Sequence, residues 1–257
     1  MFYLSGKIYP NTTVFRRLCL FFSYKTNFPP LPGSITSDIG WGCTIRSAQM
    51  LLANTILGHI LRSKSAILNT SEIEQITTTL LQDFNDTDTC PFSLHQFVKY
   101  YPQIKKKSCE WCGPCSVCHL LEYLSPSLIQ KYNLVMLHNL STINITPYKC
   151  TNSSFMVLFS TRIAFDTISQ SQSLELYELM RCPHFIGIIG GSNNASYYFT
   201  GYHKKNNGDT QLLYLDPHQC QNYTPDIDIT QYIAPNFKSL DITQISPTFS
   251  IGFYCQN

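Results

Sequence analysis

A turn bracketed by two glycines leads into an apolar helix in residues 36–50, TSDIGWGCTIRSAQM. Gly40 and Gly42 permit backbone angles and a close approach that any side chain would block. From Cys43 onward, apolar residues recur at helical spacing, and neither proline nor glycine follows until Gly58. The pattern therefore predicts a buried helix whose first turn carries Cys43. Its apolar positions are Ile45, Ala48, Leu52 and Ile56.

The first turn of such a helix is a reactive position for Cys43. Unpaired backbone N–H groups and the positive end of the helix dipole favour a thiolate over a thiol. The same N–H groups can hold an oxyanion that forms beside the sulfur. An inert buried cysteine is the alternative, because the chain has 11 cysteines and most free cysteines only pack. We predict that Cys43 is the nucleophile of a covalent mechanism.

A thiolate nucleophile needs a base, and the base needs a group that orients it. Asp216-Pro217-His218 supplies both, shortly after the segment QLL (residues 211–213), which predicts a short buried strand. Side chains two residues apart on an extended segment face the same side, so Asp216 and His218 can be neighbours. The carboxylate would then fix the tautomer of the imidazole and support its positive charge. A surface turn without chemistry is the alternative, since Asp-Pro commonly opens turns.

Together, SDIGWGC (residues 37–43) and YLDPH (residues 214–218) resemble the autophagy-related cysteine proteases that process a ubiquitin-like modifier. Three further blocks occur in the order of that family. They are FSYKTNFP (22–29), SLHQ (93–96) with WCGP (111–114), and IIGG (188–191) with YFTGY (198–202). The resemblance implies a papain-like α+β fold, in which a helical lobe carries the nucleophile and packs on an antiparallel β-sheet lobe that carries the aspartate and histidine.

The resemblance also implies roles for individual residues. The catalytic triad that it implies is Cys43, His218 and Asp216. The hydroxyl of Tyr24 and the backbone N–H of Cys43 match the oxyanion hole, and Trp111 matches a tryptophan beside the catalytic groove. Asn193 stands where the family usually has a proline, in a loop that lifts over the groove with substrate. This departure bears on the gating of the groove and not on the chemistry.

The implied substrate is a GABARAP-like ubiquitin-like autophagy modifier, cut after a glycine near its C-terminus. Both the free precursor and the modifier conjugated to phosphatidylethanolamine are implied as substrates. We expect no cofactor and no metal ion, a monomer, and membrane contact only through the lipidated substrate. Relatives continue beyond the position of Asn257 with a partner-binding tail, so weak affinity for the lipidated modifier is expected.

Composition narrows the function classes independently. A net charge of +2 with 13% charged residues gives no electrostatic grip on nucleic acid or on a membrane surface. No basic signal region and no run of about 18 apolar residues occurs, so we expect a cytoplasmic protein with reduced cysteines. With 44% hydrophobic residues, the 257 residues predict a single peptidase domain over 1–257, with a small inserted lobe around 60–105 as an option.

A cysteine-rich segment competes for the role of functional site. CEWCGPCSVC (residues 109–118) contains a thioredoxin-type WCGPC motif and spaces its four thiols, Cys109, Cys112, Cys115 and Cys118, three residues apart. A redox motif of this type follows a buried strand, whereas this one follows KKKS, and consecutive residues strain a tetrahedral zinc site. A helix that begins at Gly113-Pro114 and packs its cysteines accounts for the pattern. A metal-binding or redox protein, and a catalytically silent modifier-binding module, stay open as alternatives.

Periodicity predicts the remaining elements. Helices are expected over about 8–22, 71–84 and 171–180, and a solvated loop is expected over 85–89. Antiparallel strands are expected over 133–138, 155–159, 185–190 and 197–202. Six histidines have no partner comparable to that of His218 and are expected to be structural. They are His59, His95, His119, His138, His184 and His203.

Overall fold

The computed structural model describes residues 1–64, 67–138, 153–192, 195–205 and 208–257. The first half is mainly helical, and the second half is mainly strand. The elements of the first half are β1 (Phe2–Leu4), β2 (Lys7–Tyr9), α1 (Thr13–Leu18), β3 (Tyr24–Leu31), β4 (Ile35–Ser37), α2 (Cys43–Ser63), α3 (Thr70–Gln82), α4 (Leu94–Lys99) and α5 (Pro114–Tyr132). Those of the second half are β5 (Leu134–His138), β6 (Ser154–Arg162), α6 (Gln170–Met180), β7 (Phe185–Ser192), β8 (Ala195–Lys204), β9 (Thr210–Leu215), β10 (Cys220–Asn222), β11 (Lys238–Leu240) and β12 (Thr248–Cys255).

Helix α2 is the central element of the helical half, and it begins at Cys43 as predicted. Every residue from Cys43 to Ala53 is buried, so this part of the helix is enclosed on all sides. The helix continues through Gly58 to Ser63, because one interior glycine costs only about 1 kcal/mol relative to alanine. None of the helices in the described part of the chain combines the length and the apolar composition of a membrane span.

Nine strands of the described chain form one sheet. Its main path runs β11-β9-β8-β7-β12-β6-β5, with β1 added to β8 and β2 added to β1. Paired strands are antiparallel, except that β5 and β6 are parallel. Helix α2 packs against β7 and β8, and α5 packs against β5 and β12. Helices on a mostly antiparallel sheet constitute the α+β class that was predicted.

Apolar side chains of the helical half and of the sheet form one continuous core. Its members include Leu52 of α2, Leu121 of α5, Ile189 of β7 and Tyr254 of β12. A second apolar cluster joins α6 to the sheet through Leu176, Phe185 and Phe249. The long contact between α2 and the sheet fixes the position of Cys43 relative to the strands.

A second, smaller sheet brings two distant segments together. It has the order β10-β3-β4, and β10 runs parallel to β3 with Cys220 opposite Tyr24. The backbone N–H of Tyr24 donates to the carbonyl of Pro217 over 2.9 Å. This pairing holds the strand that carries Tyr24 beside the Asp216-Pro217-His218 segment.

Several predicted elements differ from those observed. The helix predicted over 8–22 is reduced to α1, because Lys7–Tyr9 pairs with β1 in a hairpin and both Val14 and Leu18 are exposed. The loop at 85–89 is not fully solvated, since Asp86 is buried in an ion pair. Strand β12 was not predicted, and the β5–β6 pair is parallel. The helices near 71–84 and 171–180 and the other strands are confirmed within a few residues.

Candidate active site

The turn before α2 requires both of its glycines. The carbonyl of Asp38 accepts from the backbone N–H of Trp41 over 3.2 Å and from that of Gly42 over 2.9 Å. A Cβ on Gly42 would lie 2.5 Å from Oδ2 of Asp38, and Gly40 has a φ of +85°. Side chains are therefore excluded at position 42 by space and disfavoured at position 40 by backbone angle. The turn sets Cys43 at the first position of the helix.

A group of buried charged side chains holds this turn in place. Arg46 Nε donates to Asp38 Oδ2 over 2.7 Å, and Arg46 Nη2 lies 2.8 Å from Asp86 Oδ2. The other oxygen of Asp38 accepts from the backbone N–H of Lys25 over 2.7 Å. The ammonium of Lys25 donates to the hydroxyl of Tyr232 over 2.6 Å. These buried contacts tie β3, the turn and the 83–94 segment to α2. We call Asp38, Arg46 and Asp86 the sealed group.

Asp216 and His218 meet Cys43 at the start of α2. His218 Nδ1 lies 2.5 Å from Asp216 Oδ1, and the backbone N–H of His218 donates to the same oxygen over 3.1 Å. The other carboxylate oxygen accepts from Lys238 Nζ over 2.6 Å. The His218 ring also hydrogen-bonds with the Cys43 thiol. We call these four residues the relay group. Lys238 was not identified from the sequence.

The electrostatics of the relay group favour an ion pair. Hydrogen bonds with Asp216 and then Cys43 raise the pKa of His218 to about 9. Burial acts to raise the pKa of Cys43, but hydrogen bonds from His218 and from the backbone N–H of Ser196 outweigh it and lower that pKa. Burial likewise opposes ionisation of Asp216, yet hydrogen bonds from His218 and Lys238 hold its pKa well below the usual range. Near neutral pH, His218 therefore holds a proton while Cys43 is shifted toward the thiolate.

Tyr24 lies beside the Cys43 sulfur. Its ring meets that of His218 edge-on, with the ring centroids 5.2 Å apart. Its hydroxyl hydrogen-bonds with Cys43, and burial together with the charge on Cys43 raises the pKa of Tyr24 well above its usual value. The hydroxyl thus stays protonated and can donate to a negative atom at the sulfur. The backbone N–H of Ser196 is a second such donor, and no sequence signal could have found it because every residue except proline carries one.

The structure describes one of the two predicted groove residues. Trp111 is half-buried, and its indole N–H is buried without a hydrogen-bond partner. The next residue, Cys112, lies close enough to Cys43 that a charge on one opposes a charge on the other. Trp111 therefore directly precedes Cys112, a residue that lies near the proposed nucleophile Cys43. Asn193 lies outside the described residues.

The cysteine-rich segment does not form a thiol cluster. Cys112 and Cys118 are buried, whereas Cys109 and Cys115 are exposed. Burial raises the pKa of both Cys112 and Cys118 to about 12, so these two remain thiols. Helix α5 begins at Pro114, as the Gly-Pro pair predicted. The four cysteine side chains point alternately to solvent and to the core, so their sulfur atoms do not come together at one site.

The prediction that the remaining histidines lack a comparable partner is wrong for two of them. His119 and His138 both lie beside the carboxylate of Glu122. Within the part of the chain that the structure describes, these residues are the one group of three metal-ligating side chains whose ligand atoms all lie within 4.8 Å of one another. The His119–Glu122 spacing is visible in the sequence, but His138 reaches the pair from a different element. His59 and His95 hydrogen-bond within the protein, as structural residues do.

Helices on a mostly antiparallel sheet, with a cysteine, a histidine and an aspartate meeting where the two parts join, define the papain-like fold class. Residues 12–257 match the family described as the peptidase C54 catalytic domain, and the chain belongs to this family. Both the family resemblance and the papain-like α+β fold predicted from the sequence are thereby confirmed.

Individual relatives cover most of this chain. It is 29% identical over 240 residues to the probable cysteine protease ATG4 of Scheffersomyces stipitis, and the alignment covers 87% of this chain and 43% of that protein. It is 30% identical over 238 residues to the cysteine protease ATG4 of Candida albicans, with 87% and 49% covered. It is 27% identical over 297 residues to the cysteine protease ATG4D of Xenopus laevis, with 91% and 62% covered. The chain therefore spans about half the length of the curated relatives that it matches.

Proposed function

We propose that this chain is a cysteine endopeptidase that cleaves after a C-terminal glycine of a ubiquitin-like autophagy modifier. The observation that carries the proposal is the Cys43 thiol, held between His218 and Tyr24 with Asp216 behind the histidine. Relatives named as cysteine proteases support the reaction class. The resemblance of the SDIGWGC and YLDPH blocks to proteases of the autophagy modifier supports the substrate.

The proposed reaction starts from the Cys43 thiolate and the His218 imidazolium. The sulfur attacks the glycine carbonyl, and the oxyanion that forms accepts from the hydroxyl of Tyr24 and from the backbone N–H of Cys43. His218 then gives its proton to the nitrogen of the leaving amine, which breaks the C–N bond and leaves a thioester on Cys43. Neutral His218 next takes a proton from water, whose oxygen attacks the thioester and releases the modifier with a glycine carboxylate.

Two leaving groups suit the same site. In the precursor, the leaving amine begins a short C-terminal peptide, and in the lipidated modifier it belongs to phosphatidylethanolamine. Both amines are bonded to the same glycine carbonyl, so one general acid, His218, can serve maturation of the precursor and release from lipid. We propose a GABARAP-like modifier as the substrate in both forms.

The proposal also covers the domain organisation, oligomeric state and location of the protein. We infer one papain-like domain over 1–257 without a separate lobe around 60–105. The support is that Leu80, Phe84 and Phe97 belong to the same apolar core as Leu52 of α2. A cytoplasmic monomer that meets membranes only through its lipidated substrate completes the proposal, in keeping with a net charge of +2.

The test is a cleavage assay under reducing conditions. The purified protein is incubated with a GABARAP-like modifier that carries a C-terminal extension, and the mass of the product is measured by mass spectrometry. We expect a product that ends in glycine. Cys43→Ala should lower the rate about 10⁵-fold or more and leave the melting temperature close to that of the unchanged protein.

A matched control separates the nucleophile from the other thiols. Cys115 is exposed and takes no part in the relay group, so Cys115→Ala should cleave at the unchanged rate. Cleavage that persists in Cys43→Ala would refute the proposed nucleophile. Tight binding of the extended modifier by the unchanged protein, without any cleavage, would favour a catalytically silent binding module.

A further inference from the structure

A cluster of two histidines and a carboxylate lies where α5 meets β5, and its residues are distinct from those of the relay group. Nδ1 of His119 lies 3.1 Å from one carboxylate oxygen of Glu122, and Nδ1 of His138 lies 3.3 Å from the other. The ring centroids of the two histidines are 4.8 Å apart, with the rings nearly perpendicular. One ligand atom from each residue lies within 4.8 Å of the other two. His119 and Glu122 are three residues apart on α5, and His138 is the last residue of β5.

His138 is the member that points to a ligand. Its side chain is fully buried, and its Nδ1 has no hydrogen-bond partner although a carboxylate oxygen is 3.3 Å away. Its other nitrogen, Nε2, lies 3.0 Å from Ser160 Oγ, which lies 2.8 Å from Ser250 Oγ. When Nε2–H donates to Ser160, the lone pair of Nδ1 faces the cluster. A metal-ligating histidine is typically held in this way by a hydrogen bond at its second nitrogen.

The spacing of the three ligand atoms suits a small transition-metal cation. Zinc bonds imidazole nitrogen and carboxylate oxygen at about 2.0–2.2 Å, so adjacent tetrahedral ligands lie roughly 3.4 Å apart. The imidazole nitrogens of His119 and His138 lie 3.1 and 3.3 Å from the two different oxygens of the Glu122 carboxylate, so each nitrogen–oxygen separation is close to that value. The side chains of His119 and Glu122 are 44% and 42% exposed, which leaves a path for the ion and room for water as a fourth ligand.

We propose that His119, Glu122 and His138 form a binding site for a divalent transition-metal cation of the Zn²⁺ type, with water in the fourth position. Such an ion bonds α5 to β5, which is the end strand on the main path of the sheet. It stabilises the native chain because the unfolded chain does not hold the three ligands together. The site is independent of the proposed peptidase activity.

Zinc competition against a chromophoric chelator tests the site. The measurement uses the Cys43→Ser protein, because a thiolate beside a histidine also binds Zn²⁺. We expect one tightly bound Zn²⁺ per chain, and a melting temperature that rises with Zn²⁺ concentration. His119→Asn and Glu122→Gln alter exposed side chains, so both variants should fold, and each should weaken Zn²⁺ binding at least about a hundredfold. His203→Asn, which changes a histidine outside the cluster, should bind as before.

Cobalt replaces zinc in a second measurement that identifies the ligand type. Co²⁺ bound by nitrogen and oxygen gives visible d–d bands without the near-ultraviolet charge-transfer band of a cobalt–thiolate bond. We expect the d–d bands alone, and we expect them to disappear in His119→Asn. Unchanged Zn²⁺ affinity in both cluster variants, a thiolate band in the Co²⁺ spectrum, or no stoichiometric binding would each overturn the proposal.

Discussion

The sealed group supports the turn before Cys43, the relay group contains Cys43, and the two groups differ in their access to water. In the sealed group, the side chains of Asp38, Arg46 and Asp86 are at most 1% exposed. In the relay group, Asp216 is 15% exposed, His218 is 31% exposed and Lys238 is 54% exposed. Each group pairs positive and negative side chains at hydrogen-bonding distance. The sealed group fixes the local structure, whereas the relay group is able to exchange protons with water.

The choice of cation explains this division. Both neighbouring carboxylates stabilise the charge on Arg46, so burial does not neutralise it, and its pKa lies above the already high usual value. Imidazole titrates in the physiological range, and its pKa follows its neighbours. A fixed charge can anchor the turn that presents Cys43, whereas only a titrating group can give and take the proton of the reaction. The comparison therefore predicts that damage to the first group unfolds the protein and that damage to the second lowers its activity.

Removing the carboxylate of the relay group has the largest expected effect. Asp216→Asn leaves the shape but loses the charge that orients and supports protonated His218, so kcat/KM should fall about 10⁴-fold. The measurement is cleavage of the extended modifier, with the melting temperature recorded in parallel. Asp226→Asn, at an exposed carboxylate, is the matched control and should retain full activity. A loss below about tenfold would show that Asp216 does not support the reaction.

Removing the cation of the sealed group should have the next largest effect. Arg46→Met leaves two buried carboxylates without their partner, so the free energy of unfolding should fall by about 3–5 kcal/mol. Urea denaturation measures the change. Arg62→Met, on an exposed position of the same helix, should change the free energy of unfolding by less than about 1 kcal/mol. Equal losses in the two variants would mean that the ion pairs of Arg46 add nothing to stability.

The pH dependence of activity should come from the relay group. His218 has its pKa raised from 6.5 to about 9, so kcat/KM should fall about tenfold per pH unit above pH 9 as the imidazolium is lost. The same raised pKa stabilises the fold fully below pH 6.5, and that stabilisation is lost as pH rises through about 9. Because the hydrogen bond with Asp216 is the main cause, the alkaline limb of Asp216→Asn should move to lower pH. An alkaline limb that does not move would contradict the assignment of the titration to His218.

The smallest expected effect belongs to Lys238. It donates one hydrogen bond to Asp216 from a half-exposed position, so Lys238→Met should lower kcat/KM about fivefold, or ~1 kcal/mol. The loss of a nearby positive charge should also shift the alkaline limb slightly upward, which a purely structural role would not do. Lys238→Arg should recover most of the activity, and Lys204→Met, on an exposed lysine elsewhere, should lose none. An unaltered pH profile together with unaltered kcat/KM would remove Lys238 from the relay group.

What the sequence could predict was local in the chain. The turn, the helix start at Cys43 and the Asp216–His218 pair are each encoded within a few residues, and glycine, proline and apolar spacing report them directly. Tyr24 was identified only through family resemblance, since nothing in its own segment indicates that β10 will hold it beside Pro217.

What could not be predicted depends on contacts between distant segments. Asp86 lies in a polar stretch that is typical of a solvated loop, and its ion pair with Arg46 on α2, a distant segment, stabilises its charge in the buried position. Lys238 meets Asp216 because β11 pairs with β9, where Lys238 lies opposite Tyr214. Strand β12 is a different case, because TFSIGFYC alternates apolar with small or polar residues, and that alternation is a local signal for a strand.

Strand β12 has a consequence for how the protein is made. It lies between β6 and β7, with Ile251 opposite both Phe159 and Ile188, yet it is the last strand of the described chain. During synthesis, β6 and β7 are therefore both made before β12, the strand that joins them. Pairing over such long sequence separations predicts slow folding with a high contact order. The sheet can close only after synthesis has passed residue 255, so the incomplete nascent chain has to keep two open strand edges from pairing with other chains.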